Sequence, residues 1–231
     1  MGEQLTNELA MLATFTDRSG GVSQGAFASF NLGDHVGDDS ADVQANRELL
    51  ASKFGPVQFM NQVHGSRIVI IESVTDEAPR ADALVTGIAG VTLAVMVADC
   101  IPLLLTSSEA VAAVHVGRRG LVNGVAVKTV ELMREMGAKE IRAALGPAIC
   151  GRCYEVSQEV HDEVVALHPL ASAQTTAGTP ALDLPKALKA LLNADGISEI
   201  SDLQICTVES ADHFSYRRDI LTGRQVGLVS L

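Results

Sequence analysis

The sequence predicts a mixed α/β or α+β sandwich rather than a doubly wound nucleotide fold. Segments that read as strands outnumber those that read as helices, and the two kinds do not alternate regularly. Many of the strands are continuous apolar runs, the pattern of sheets covered on both faces. The chain has 231 residues, 47% of them hydrophobic and 19% charged, so it can bury a core, and general disorder is excluded.

In chain order, Met1 to Ala13 has neither a basic region nor a sustained apolar stretch and does not read as a signal peptide. Asp42 to Phe54 reads as a helix carrying Val43, Leu49, Leu50 and Phe54, with Asp39 or Ser40 available as its cap. Ile68 to Ile71 reads as a strand. The most apolar window, Ala83 to Ala98, is shorter than a membrane span and is punctuated by Gly87 and Gly90. It reads as a turn plus a buried strand, Val91 to Val97, and the strands Leu103 to Thr106 and Val111 to Val116 follow. Leu121 to Met136 reads as a helix closed by Gly137, and Ile141 to Leu145 as a strand. Ser157 to Leu167 places Val160, Val164 and Leu167 on one helical face and stops before Pro169. Leu170 to Pro180 reads as a surface loop, and Pro185 to Asn193 as a helix ending near Gly196. Leu203 to Val208 and Gln225 to Val229 complete the strands.

Lys plus Arg number 17 against 28 Asp plus Glu, a net charge of −11. A polymeric nucleic acid is therefore not an expected partner, because backbone binding wants a basic face. A small anionic substrate needs only a local basic pocket. Four cysteines without a signal peptide suggest free thiols and a cytoplasmic protein.

Three positions offer chemistry: His64 in Asn61-Gln62-Val63-His64-Gly65, Cys100 in Ala98-Asp99-Cys100-Ile101-Pro102, and His115 in Ala113-Val114-His115-Val116-Gly117. Their spacings are not those of a local zinc finger, and spacing alone favours a buried thiol and two hydrogen-bonded imidazoles. Their contexts say more. Cys100 and His115 each lie at or near the end of an apolar strand, where a sheet delivers side chains to a pocket. Two imidazoles and a thiolate would leave a fourth zinc position open. Cys100 and His115 would equally suit a nucleophile and its base. Gly117-Arg118-Arg119-Gly120 precedes a helix and reads either as an anion-binding turn or as an exposed basic turn. Ser215-Tyr216-Arg217-Arg218-Asp219 reads as a solvated charged turn. Cys150-Gly151-Arg152-Cys153 has the C-x-x-C spacing, but there is no second such pair and no βαβ context, so it reads as a loop with free thiols. His161 reads as a surface residue, and His35 as one that could border a pocket.

These blocks taken together resemble the YfiH-like family, also labelled multicopper polyphenol oxidase and purine nucleoside phosphorylase. The likeness runs from Phe30-Asn31-Leu32-Gly33-Asp34-His35-Val36-Gly37-Asp38 and Asn46-Arg47 through the His64, Cys100 and His115 segments. It also takes in Ala81-Asp82-Ala83-Leu84-Val85-Thr86, Gly146-Pro147-Ala148-Ile149, Cys153-Tyr154-Glu155-Val156 and Phe214 to Asp219. It implies a single domain over 1–231 with an α/β/β/α sandwich of mixed sheets. It implies Zn2+ held by His64, Cys100 and His115, and phosphorolysis of adenosine, inosine and methylthioadenosine with deamination of adenosine. A family member has also been assigned a role in peptidoglycan precursor editing. One departure stands out: where the family usually reads His-Ala-Gly-Trp-Arg-Gly, this chain has Arg118 in place of the Trp.

On this reading the substrates are purine nucleosides and phosphate, with no membrane partner. Arg47, Arg119 or the start of the helix at Gly120 would hold the phosphate. Asp99 would point away from Cys100 in a regular strand, so only an irregular strand end would bring both to one site. A metal-free Cys/His hydrolase is the alternative. A copper laccase is not expected on donors: the chain has six His and no His-x-His pair, whereas a blue site plus a trinuclear cluster takes roughly ten.

Overall fold

The computed structural model describes residues 13–231. The N-terminal segment read above as lacking a signal peptide lies almost wholly outside the described residues. Strands β1 (Ala13–Phe15), β2 (Val57–Gln58), β5 (Thr92–Val97) and β12 (Gln225–Ser230) form one sheet, in the order β1-β12-β5-β2. A second sheet takes β3 (Ile68–Ile70), β4 (Ala83–Thr86), β6 (Ile101–Thr106), β7 (Val111–Val116), β8 (Arg142–Leu145) and β11 (Ile200–Asp202), in the order β11-β8-β6-β7-β4-β3. Both sheets are mixed: β2 pairs parallel with β5, β3 with β4 and β11 with β8, and the remaining pairs in these two sheets are antiparallel.

The period of the strand explains why the apolar runs are continuous. In β5, Leu93, Val95 and Val97 enter a core between the sheets, where they meet Phe15, Leu84, Leu104, Ala113 and Ala144. Their neighbours Ala94 and Met96 face outward and pack with Leu50 of helix α1 (Ser40–Phe54). In β6, Leu104 faces the first sheet, whereas Leu103 and Leu105 pack beneath α3 (Val125–Glu135) and α5 (Leu184–Ala194). These central strands therefore have two apolar faces, and the layers run α/β/β/α as expected.

Caps close the helices as the sequence indicates. The Asp39 carboxylate accepts from the N–H of Ala41, and the Ser157 hydroxyl from Val160 at the start of α4 (Gln158–Leu167). Asp183 caps α5 by accepting from Lys186. After α3, Gly137 (φ 102°) lets Ala138 N–H reach the Met133 carbonyl, which ends the helix.

Four elements differ from expectation. The helix read as Leu121 to Met136 is two, α2 (Arg118–Val122) and α3, because Gly124 adopts φ 71° between them. The strand read at Leu203 to Val208 is instead β11 followed by turns. The Asp202 carboxylate accepts from Gln204 N–H, and Gln204 takes φ 55°, which breaks the ladder and leaves Cys206 in an isolated bridge with Ala148. The loop read at Leu170 to Pro180 contains β9 (Ser172–Gln174), which pairs with β10 (Pro180–Leu182) as a hairpin. Ala83 to Thr86, read as part of a turn, is the fully buried strand β4. Among the described residues, no helix is long and apolar enough to cross a membrane.

Leu104 is wholly buried between the sheets. Leu104→Ala is expected to destabilise the protein by about 2–5 kcal/mol, the cost of lost burial plus the cavity left behind. Urea unfolding with an unchanged m-value checks it; a loss under about 1 kcal/mol would mean the sheets close over the gap.

Candidate active site

Asp82, at the start of β4, is fully buried. Its carboxylate accepts the backbone N–H of His64 (2.8 Å) and of Gly65 (2.7 Å), and it lies 2.9 Å from Nδ1 of His115. Burial alone would raise the Asp82 pKa, but these hydrogen bonds outweigh it and hold the carboxyl below its usual range. One carboxylate thus fixes the loop of His64, at φ 58°, and the ring of His115 on β7. Gln62 anchors the same loop by exchanging two hydrogen bonds of 2.8 Å with the backbone of Met96 in β5.

The result is a convergence. Ligand atoms of His64, Cys100 and His115 all lie within 4.8 Å of one another, and the two imidazole rings meet edge to face at 4.7 Å. Gly117 leaves the room: a Cβ there would stand 2.9 Å from the Cys100 Sγ. Burial disfavours the Cys100 thiolate, yet the charge and hydrogen bonds of His115 and His64 bring its pKa down to about 6. Burial likewise disfavours a charged His115, but the Cys100 thiolate and Asp82 raise it to about 9.

These donors fit a zinc ion. Two imidazoles and a low-pKa thiol form a three-ligand set, and Asp82 on Nδ1 of His115 leaves Nε2 as the ligand atom, the usual carboxylate–histidine arrangement.

The trio borders a cavity of about 410 Å³, which suits a nucleoside-sized ligand. Asp99 does reach it, because φ 102° turns the chain between β5 and β6 into the irregular strand end that the sequence required. Its carboxylate is already engaged, accepting from Thr207 Oγ1 (2.7 Å), Ser215 Oγ (2.6 Å) and the N–H of Arg217 (2.6 Å). Asp99 therefore holds the C-terminal segment against the cavity.

The cations differ from those the sequence indicated. Arg47 does not line the cavity: it donates to the Leu32 carbonyl, pairs with Asp34 at 3.3 Å and stacks on Phe59 at 4.2 Å. Arg119 is exposed and is likewise outside the lining. The lining cations are Arg118, Arg217 and Arg224. The segment Ser215 to Asp219 is exposed at Tyr216, Arg217 and Asp219, as the reading of a solvated turn expects, but it also borders the cavity. Ser215 is buried and caps α6 (Tyr216–Asp219), placing Tyr216 and Arg217 on the cavity. Arg217 lies over the ring of Tyr154, another lining residue, and His35 borders the cavity as well. Asp82, Arg224 and Tyr154 were not singled out from the sequence. A lone carboxylate entering the apolar run Ala83 to Thr86 was the readable signal for Asp82.

A family model described as multi-copper polyphenol oxidoreductase laccase matches residues 12–231. The chain belongs to that family, which its structural neighbours identify as the YfiH and DUF152 proteins. A purine nucleoside phosphorylase of Streptomyces coelicolor is 48% identical over 227 residues, 94% of each chain. One from Corynebacterium glutamicum is 45% identical over 232 residues, covering 94% of this chain and 93% of its own. Among solved structures, a Neisseria meningitidis protein matches with TM-score 0.87 and 38% identity, over 95% of this chain and 93% of that one. YfiH of Bacillus licheniformis matches with TM-score 0.88 and 30% identity, over 97% and 94%.

In metal-free protein, the fraction of reactive Cys100 should rise with pH through about 6. An ordinary cysteine would become reactive at about 8.5. Iodoacetamide labelling across pH 5–9, read at the Cys100 peptide, measures this. A midpoint near 8.5 would mean that the imidazoles do not stabilise the thiolate.

Proposed function

We propose that this chain is a purine nucleoside phosphorylase that also deaminates adenosine, with Zn2+ held by His64, Cys100 and His115. The observation that carries the reading is the meeting of that donor set with Arg118, Arg217 and Arg224 around one cavity. The names of relatives 45–48% identical to this chain support it.

Phosphorolysis joins phosphate to C1′ of the ribose while the purine departs from it. The chain must then hold a dianion, orient the ribose and supply a proton to the departing base. Arg224 suits the first task. Burial lowers its guanidinium from the ordinary value while Cys100 and Asp99 oppose that shift, so a poorly hydrated cation faces the cavity. Arg217 and Arg118 add donors on the neighbouring wall. Tyr154 can donate from its hydroxyl to the base: burial and the nearby Cys100 raise its pKa, so the proton stays in place at neutral pH. Arg118 replaces the indole common in the family with a charged, planar group that can stack on a purine and still pair with phosphate. Zinc held by His64, Cys100 and His115 would supply Lewis-acid polarisation on that side of the cavity.

Inosine should release hypoxanthine only when phosphate is present, and adenosine should yield inosine without it. Arg224→Ala is expected to weaken the phosphate-dependent step at least tenfold while slowing deamination far less, since one charge-assisted contact is worth about 1.5–3 kcal/mol. Arg47→Ala should spare the difference between the two reactions. Product chromatography over time decides. Hypoxanthine formed at an undiminished rate without phosphate would replace phosphorolysis with hydrolysis.

A second reading rests on the Cys100–His115–Asp82 array, which also has the geometry of a thiol nucleophile with an oriented base. That enzyme would be a metal-free hydrolase, with a peptidoglycan precursor as a candidate substrate. Full turnover after zinc is stripped, together with its loss on alkylating Cys100, would favour it.

A further inference from the structure

The Cys150-x-x-Cys153 turn does not stand alone. The chain brings Cys206 and Glu209 against it, and ligand atoms of all four residues lie within 4.8 Å of one another. Both pairs have the same spacing, three residues apart, and each lies on a turn. In the first turn, the N–H groups of Cys153 and Tyr154 both donate to the Cys150 carbonyl at 3.0 Å. In the second, Ser210 N–H donates to the Cys206 carbonyl at 2.9 Å. A parallel bridge between Ala148 and Cys206 aligns them, and Cys150 N–H points at Cys206 Sγ from 3.5 Å. Cys206 is buried and the other two cysteines are half-buried, so the sulfurs converge under the surface. Cys153 Sγ approaches Glu209 Oε1 at 3.7 Å.

We propose that Cys150, Cys153, Cys206 and Glu209 form a second divalent-metal site, of the closed structural kind and separate from the His64 cluster, that takes zinc. Two turns that each offer a pair of ligands are the arrangement that encloses a tetrahedral ion. Tetrahedral Zn–S bonds of about 2.3 Å place sulfurs about 3.8 Å apart, and the four ligand atoms of this cluster already lie within 4.8 Å of one another. Three thiolates favour a thiophilic ion, and the carboxylate fills the fourth position, so none is left for a substrate. Arg152 lies 3.5 Å from the Glu209 carboxylate and offsets the excess negative charge.

The site has a structural consequence. It ties the turn that leads into Tyr154 to the 206–210 turn, and Thr207 of the latter bonds Asp99. Arg218 donates to the carbonyls of Thr207 and Ser210 in the same turn. A metal there would hold two walls of the cavity in register. The sequence showed only the first pair, because the second residue of its partner turn is a Glu rather than a Cys.

The test uses the full chain purified under reducing conditions and loaded with Zn2+. Zinc per chain is measured by mass spectrometry for the wild type, Cys100→Ser, Cys153→Ser and the double variant. The expected result is two, one, one and none. Cys100→Ser protein loaded with Co2+ should show thiolate-to-cobalt absorption in the near ultraviolet that vanishes in the double variant. Should Cys153→Ser fail to fold, Glu209→Ala, at an exposed position, should weaken Zn2+ at least tenfold in competition with a chelating dye in the Cys100→Ser background. Zinc-free Cys100→Ser protein after loading, or zinc content unaffected by both Cys153→Ser and Glu209→Ala, overturns the proposal. A disulfide among the three cysteines in the reduced preparation overturns it too, and makes the cluster a redox pair.

Discussion

The carboxylate of Asp82 is the group on which the site depends. It is buried, and among the described residues its charged partner is His115 rather than a Lys or Arg, so it must be satisfied by hydrogen bonds. Three backbone N–H groups of the His64 loop, those of Val63, His64 and Gly65, donate to it, and the His115 ring bonds it as well. The consequence is reciprocal. The carboxylate stays ionised because the loop and ring are in place, and they stay in place because an unpaired buried charge would cost several kcal/mol. The Cys100 thiolate inherits the benefit at one remove, through the imidazole that Asp82 orients. The convergence of His64, Cys100 and His115 is here enforced by the requirement to satisfy one carboxylate in an apolar core.

That core exists because the central strands are apolar on both sides. Packing of two sheets fixes β5, β6 and β7 together, with one helical layer outside each sheet. The strand ends then deliver Cys100 and His115 to a common point, and irregular backbone at Asp99 and His64 completes it. Positive φ at non-glycine residues is sparsely populated, and two of the four such residues among those described, His64 and Asp99, stand here, held by local hydrogen bonds. The Asp99 side chain illustrates the point: three donors from two distant segments hold the residue whose backbone makes the corner.

Much of this was legible in the sequence. Continuous apolar runs announced strands covered on both faces, and Gly137, Asp39 and Ser157 announced helix ends correctly. His64, Cys100 and His115 were legible as types at strand ends, and family likeness joined them. What failed was whatever depends on a distant partner. Leu203 to Val208 has strand composition, but the Asp202 carboxylate turns the chain at Gln204. The segment Ser215 to Asp219 reads only as a solvated turn, and Arg217 is exposed, but Asp99, more than a hundred residues away, ties the segment to the cavity edge. Arg47 sits in a matching block, yet its donors face Leu32 and Asp34. Charge type is written in a sequence, but the direction a long side chain takes is set by whichever acceptor lies nearest in the fold.

The same logic reconciles an acidic protein with the anionic substrate proposed for it. A net charge of −11 repels phosphate at long range, but over more than about 10 Å salt screens most of that field. Within the cavity the balance reverses. Arg118, Arg217 and Arg224 line one space, and Asp99, the lining carboxylate, is engaged by three hydrogen bonds rather than opposing an anion freely. The Cys100 thiolate is paired with imidazolium, and a bound zinc would neutralise it further. A ligand carrying a phosphate at one end and an uncharged purine at the other would then find its charge complement at the arginines, and a polarising centre at the trio. The local arrangement of charge, set by which side chains the fold brings to the cavity wall, governs what the cavity admits, while the total charge governs only how slowly an anion arrives.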